Sequence, residues 1–172
     1  PAWGIGVWIW DTNAFAKQTC RLWRSFEIPN GATVARARFR ITADNGFRLL
    51  LDGREIGRGS DWRSMTEYDL TWLLQPGKHA LAVEGFNDRL EAGILAGLKV
   101  EFMDGNTLEV PSDTSWRVVP KAAPGWEHRR QFLDRAGIPA ARRVALGGYR
   151  KPARFECLNE LSLRHLLAPI RS

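Results

Sequence analysis

Seven residues combine the types that recognise a polyhydroxylated ligand: Asp44, Asn45, Asp61, Trp62, Arg63, Asn87 and Arg89. They fall in three polar connections, 44–46, 59–66 and 87–91. A tryptophan ring offers an apolar face to axial C–H groups, and carboxylates, amides and guanidinium groups take hydroxyls in pairs. The same residues have a purely local reading. Asp and Asn form turns, Asp44-Asn45-Gly46 above all, and Trp62 could serve as a lid over the core.

The sequence carries little that could do catalytic chemistry. There is no Gly-x-Ser-x-Gly elbow. Gly57-Arg58-Gly59 lacks the Lys-Ser/Thr of a phosphate-binding loop. His79, His128 and His165 have no catalytic or metal-ligating neighbours and read as surface or satisfied core. A carboxylate pair for glycoside hydrolysis stays open, because it needs proximity in space and not in sequence. Short loops leave little depth for such a pocket. Cys20 and Cys157 stand 137 positions apart, unlike the close clusters of metal sites. They fit either one disulfide in an exported domain or two unrelated buried thiols.

The elements that must position these residues read as strands. From Val34 to Ala43, Ala35, Ala37, Phe39 and Ile41 alternate with Arg36, Arg38, Arg40 and Thr42. That is a strand with one face on a core and one in water. Further strands are expected at Ile5–Trp10, Arg21–Ile28, Phe47–Leu51, Arg54–Arg58, His79–Phe86, Ile94–Phe102, Thr107–Val110 and Ser115–Val119. Tyr68–Leu74 reads as a short extended or turn-like segment. Asp52-Gly53 and Asp104-Gly105 read as tight hairpin turns, and Pro76-Gly77 as a further turn. Trp8, Trp10, Trp23, Trp72 and Trp116 read as core. In the tail, Trp126–Ala136 and Leu158–Leu167 read as helical and Val144–Tyr149 as a strand. The fold class is all-β, an antiparallel β-sandwich or barrel with a short C-terminal helical extension. Alternating connections place 44–46, 59–66 and 87–91 at one end and the tight turns at the other.

Charge sharpens the reading. The 172 residues carry a formal net charge of +6. Residues 1–119 hold 14 Lys and Arg against 15 Asp and Glu, a net of −1. Residues 120–172 hold 11 against 4, a net of +7. A body without a cationic surplus argues against a nucleic-acid partner. No apolar run approaches the ~18 residues of a membrane span. The start at Pro1 suggests a domain cut from a longer protein. The expected organisation is a sandwich core at 1–124, a closing segment on the same domain at 125–157, and a terminal helix or linker at 158–172.

The order of motifs resembles a known family. It runs through Trp8-Ile9-Trp10, the strand Leu22–Ile28, Ala37–Leu49 with Asp44-Asn45-Gly46 inside it, and Leu51-Asp52-Gly53. It continues through Gly57 and Gly59 before Trp62, Tyr68-Asp69-Leu70-Thr71, Pro76-Gly77-Lys78-His79, Gly93–Ala96 and Asp113–Arg117. This series resembles the galactose-binding-domain-like jelly rolls beside the catalytic domain of bacterial α-L-rhamnosidases and related glycoside hydrolases. The resemblance covers about 3–119, with Gly147-Gly148-Tyr149 as a closing segment. It implies a non-catalytic, carbohydrate-binding-like accessory module of a larger exported bacterial protein, with other domains of that polypeptide as partners. It allows a structural calcium ion but assigns no ligands to it. Similar modules in sensor proteins supply an alternative, an extracytoplasmic ligand-sensing domain whose basic tail lies near a membrane. A small glycoside hydrolase ranks third.

Overall fold

The computed structural model describes residues 5–89, 91–119, 125–128, 138–139 and 141–142. The alternating segment becomes β3 (Val34–Asp44), which pairs antiparallel with β8 (Gly93–Phe102) along nearly its whole length. β6 (Thr66–Asp69) flanks β3 on the other side. β1 (Ile9–Trp10) and β9 (Thr107–Pro111) both pair with β8, and β12 (Ala141–Arg142) pairs with β1. The second sheet runs in the order β11 (Ile138–Pro139), β10 (Arg117–Val118), β2 (Gln18–Ile28), β7 (Gly77–Asn87), β4 (Gly46–Leu51), β5 (Arg54–Gly59).

The inward positions of both sheets interdigitate. Phe39, Ile41, Ile94 and Leu98 from one sheet meet Leu22, Leu49, Leu81 and Val83 from the other in one buried cluster. Alternation is the cause, since each strand has one apolar face and only a second sheet covers it. A smaller cluster on the outer face of the second sheet joins Trp23, Leu50, Ala80 and Ala82 to Trp126 of a 3-10 turn.

The outer face of the first sheet is neutral. Arg38 pairs with Asp69 and Glu67, Arg40 with Glu67 at 2.6 Å, and Lys99 with Glu101 at 3.2 Å. Cross-strand charge pairing offsets the arginine run that the alternation sends outward.

Several expectations change. Trp72 is 88% exposed: it lies in the 70–76 connection between strands and not on an inward strand position. Thr42, expected in water, is fully buried, because the 59–65 connection folds back over it. Asp44-Asn45-Gly46 carries the chain from one sheet to the other through a cis Asp44–Asn45 peptide. The first strand shortens to Ile9–Trp10, since Gly6 and Val7 bond to Ala96 and Ser112 carbonyls. Ser115–Val119 shortens to Arg117–Val118. Asp52-Gly53 has both residues at positive φ, as a two-residue turn requires. The Asp104-Gly105 connection is instead a four-residue loop, 103–106, with only Gly105 left-handed. The expected elements at 129–136, 144–149 and 158–167, the pairing of Cys157, and His165 lie outside the described residues, as does the side chain of His128. Cys20 is buried in the core.

Candidate functional site

Strand direction gathers the connections 11–17, 44–46, 59–65 and 87–92 at one end of the sandwich. The register requires it: Asp44 faces Gly93, Gly46 faces Phe86, Phe47 faces Gly59 and Gln18 faces Asn87. All three candidate loops therefore share this end. The connections 29–33, 52–53, 70–76 and 103–106 occupy the other.

Two groups form at the loop end. In the first, the Asn45 N–H donates to the Phe86 carbonyl at 2.5 Å, and Asn45 Oδ1 accepts the Asp88 N–H at 2.7 Å. Asn87 is buried and engaged on both sides of its amide. Its Nδ2 donates to the Phe15 carbonyl at 2.9 Å, and its Oδ1 accepts the Arg89 N–H at 3.1 Å. Asn87 thus ties 11–17 to 87–89 as a positioning residue, while Arg89 stays exposed.

The second group holds Asp61, Trp62 and Arg63. Asp61 Oδ1 accepts the Arg63 N–H at 3.0 Å and Oδ2 accepts the Ser64 hydroxyl at 3.3 Å, closing a turn. The Arg63 guanidinium lies 5.7 Å from the centroid of the Trp62 ring, within cation–π range. The loop hangs from Thr42, whose hydroxyl faces the Asp61 and Trp62 carbonyls at 3.4 and 3.1 Å. Trp62 is half-buried, and Asp61 and Arg63 are exposed. Thr42→Val keeps the shape and removes the single hydroxyl proton that the two carbonyls share. A loss of about 1–3 kcal/mol is expected, read as a lowered urea midpoint. An unchanged midpoint would show that the loop does not depend on this anchor.

Three residues at this end had no place among the expected ligand-binding set. Phe15 is 57% exposed and Phe86 45%, so two further aromatic faces meet solvent here. Lys17, at φ 61°, pairs with Asp88. The Lys17 hydrogen bond, then its charge, holds the Asp88 carboxyl below the usual carboxylate range. Because that pKa is depressed in the fold, the pair is fully formed above the ordinary Asp range near 4. It is lost as pH falls through the lowered value. Lys17→Met is expected to return Asp88 to an ordinary titration, followed by carboxyl-carbon NMR. An unmoved titration would contradict the pairing.

At the other end, His79 is buried with both ring nitrogens engaged, by Asp52 Oδ2 at 2.6 Å and the Gln75 carbonyl at 2.7 Å. That is the satisfied core histidine expected. No helix among the described residues is long and apolar enough to cross a membrane.

Comparison with known proteins gives two kinds of match. No family model matches the chain. An α-L-rhamnosidase of Streptomyces avermitilis is 29% identical over 141 residues, covering 67% of this chain but only 13% of the relative. The crystal structure of a Streptomyces avermitilis α-L-rhamnosidase complexed with L-rhamnose superposes with a TM-score of 0.69 at 25% identity. It covers 80% of this chain and 14% of that one. A Pleurotus ostreatus lectin in complex with GalNAc shares the fold, with a TM-score of 0.70 at 24% identity over 83% of this chain and 44% of the lectin. The chain therefore spans a small fraction of the rhamnosidases it matches. With two antiparallel sheets, and loops gathered at one end, it is a galactose-binding-domain-like jelly-roll module.

Proposed function

We propose that this chain is a non-catalytic carbohydrate-binding module of a larger, exported glycoside hydrolase, and that it takes its glycan at the loop end. The observation that carries the reading is the convergence of three polar loops and exposed aromatic rings on one end of a rigid sandwich. Rigid sheets with loops at one end are where such folds place recognition. The relatives support the ligand class, one being complexed with L-rhamnose and the other with GalNAc.

The roles follow from the geometry. Trp62, partly covered by Arg63, supplies the ring for a sugar C–H face. Asp44, Asn45, Asp61, Arg63 and Arg89 supply donors and acceptors for hydroxyls around it. Asn87 holds the floor between the loops.

Titration calorimetry with L-rhamnose and N-acetylgalactosamine at millimolar concentration tests the reading. Binding is expected, and Trp62→Ala is expected to weaken it at least about tenfold, roughly 1.4 kcal/mol. No binding of either sugar, or equal binding by Trp62→Ala, sinks the loop-end assignment. Turnover of aryl glycosides by the chain would overturn the non-catalytic part.

A further inference from the structure

We propose that the turn-bearing end of the sandwich carries a second saccharide site, in the cleft between the β2–β3 connection and the β8–β9 loop. The proposal extends the carbohydrate-binding reading to residues that the loop-end site does not use. The cleft has a volume of about 470 Å³, within the ~300–1,000 Å³ of small-molecule sites.

Its walls are preformed. Pro29-Asn30-Gly31-Ala32 closes through the Ala32 N–H to the Pro29 carbonyl at 3.1 Å, with Gly31 at φ 80°. That is a type II turn, which requires a left-handed third residue. Opposite it, the Phe102 N–H donates to the Asn106 carbonyl at 2.9 Å. The Met103 N–H donates to the Thr33 carbonyl at 2.9 Å and ties the two walls together. A cleft whose walls are already bonded loses little entropy when a ligand enters.

The lining decides the ligand class. Pro29 and Leu108 supply apolar surface for a sugar ring, with the buried Phe102 behind them. Glu27, Asn30 and Asn106 supply acceptors and amide donors above it. Asp104 is partly spent, since both of its oxygens accept from Asn106, at 2.9 Å each. No lysine or arginine lines the cleft, so it disfavours sulfated or uronic glycans. A cation would use the two carboxylates and leave the Asn30 amide donor unused, the Asn106 amide being already engaged with Asp104. A neutral pyranose, which donates and accepts at each hydroxyl, uses the whole set.

The two sites face apart. β3 and β7 are each 11 residues long, so the ends stand about 35 Å apart. One short oligosaccharide cannot fill both.

The test is amide NMR of the 172-residue chain titrated with a panel of neutral mono- and disaccharides, L-rhamnose and N-acetylgalactosamine among them. Shifts are expected at the backbone amides of Gly31 and Gly105 and the side-chain amides of Asn30 and Asn106. The double variant Glu27→Ala, Asn30→Ala removes two exposed rim side chains and is expected to abolish those shifts. Shifts at 44–46, 61–63 and 87–89 are expected to persist in it. Shifts confined to the loop end overturn the second site and leave the first standing. Shifts confined to the turn end support it while the loop-end reading fails. No shifts with any sugar, or turn-end shifts that persist unchanged in the double variant, overturn the proposal.

Discussion

Trp10→Ala is expected to destabilise the sandwich by about 3–5 kcal/mol, the range for truncating a buried aromatic. Trp10 is fully buried, and its ring lies over Gly85, where a Cβ would come within 2.5 Å of Cζ3. At this position the facing strand has no side chain to fill the space left behind. The indole also donates from Nε1 to Gln18 Oε1 at 2.8 Å. The same oxygen accepts the Phe15 N–H at 3.2 Å, and Gln18 Nε2 donates to the Asn13 carbonyl at 3.0 Å. Trp10 thus couples the core to the 11–17 connection. Urea unfolding should show the loss, and Trp10→Phe should recover much of the packing but not the hydrogen bond. A Trp10→Ala midpoint equal to the parent's would mean that the indole is not the wedge described.

Gly6→Ala comes next in size, at about 3 kcal/mol or more. A Cβ built there falls 1.9 Å from the Ser112 carbonyl oxygen and 2.4 Å from its nitrogen, both backbone atoms. Backbone cannot rotate away as a flexible side chain can, so the seam must open. That seam is dense. The Gly6 and Ser112 N–H groups both donate to the Ala96 carbonyl, at 3.1 and 2.9 Å, and the Val7 N–H donates to the Ser112 carbonyl at 2.7 Å. Ser112 is fully buried, and its hydroxyl bonds the Val7 carbonyl at 2.7 Å and the Ala96 N–H at 3.0 Å. Opening the seam frees the first strand, so faster hydrogen exchange at Ala96 and Ser112 should accompany the lowered midpoint. Parent-like exchange at both would refute this account.

Strand identity was legible where alternation was strong. Phe39 and Ile41 face the core as their spacing requires, and the register of β3 against β8 keeps that face buried from Ala37 onward; Ala35, expected on the same face, is exposed where the register shifts between Val34 and Arg36. The turn at Asp52-Gly53 was legible because the residue pair matches the φ values demanded. Trp72 was misplaced because hydrophobicity says that a ring favours burial, not that a connection holds its backbone there. Thr42 was misplaced because period-two spacing reports which face a residue is on. It cannot report that a loop some twenty positions later folds back over that face. Phe15 and Lys17 carry no local signal for a site, since their proximity to Asn87 and Asp88 is a consequence of β2 pairing with β7.

What the sequence determined by itself was the all-β class, the sandwich pattern, and the candidate loops at one end. Each of these rests on local preference: pleat alternation, turn chemistry, and the antiparallel rule that successive connections change ends. Tertiary structure decided the rest. It divided six of the seven candidate residues into a group on Asn45 and Asn87 and a group hung from Thr42, with Asp44 at the end of β3. It made Asn87 a positioning residue, and it opened a cleft between two connections at the other end. The physical reason is common to all three. Hydrogen bonds across sheets and the space between two loops depend on how strands far apart in sequence are packed, and no local pattern encodes that distance.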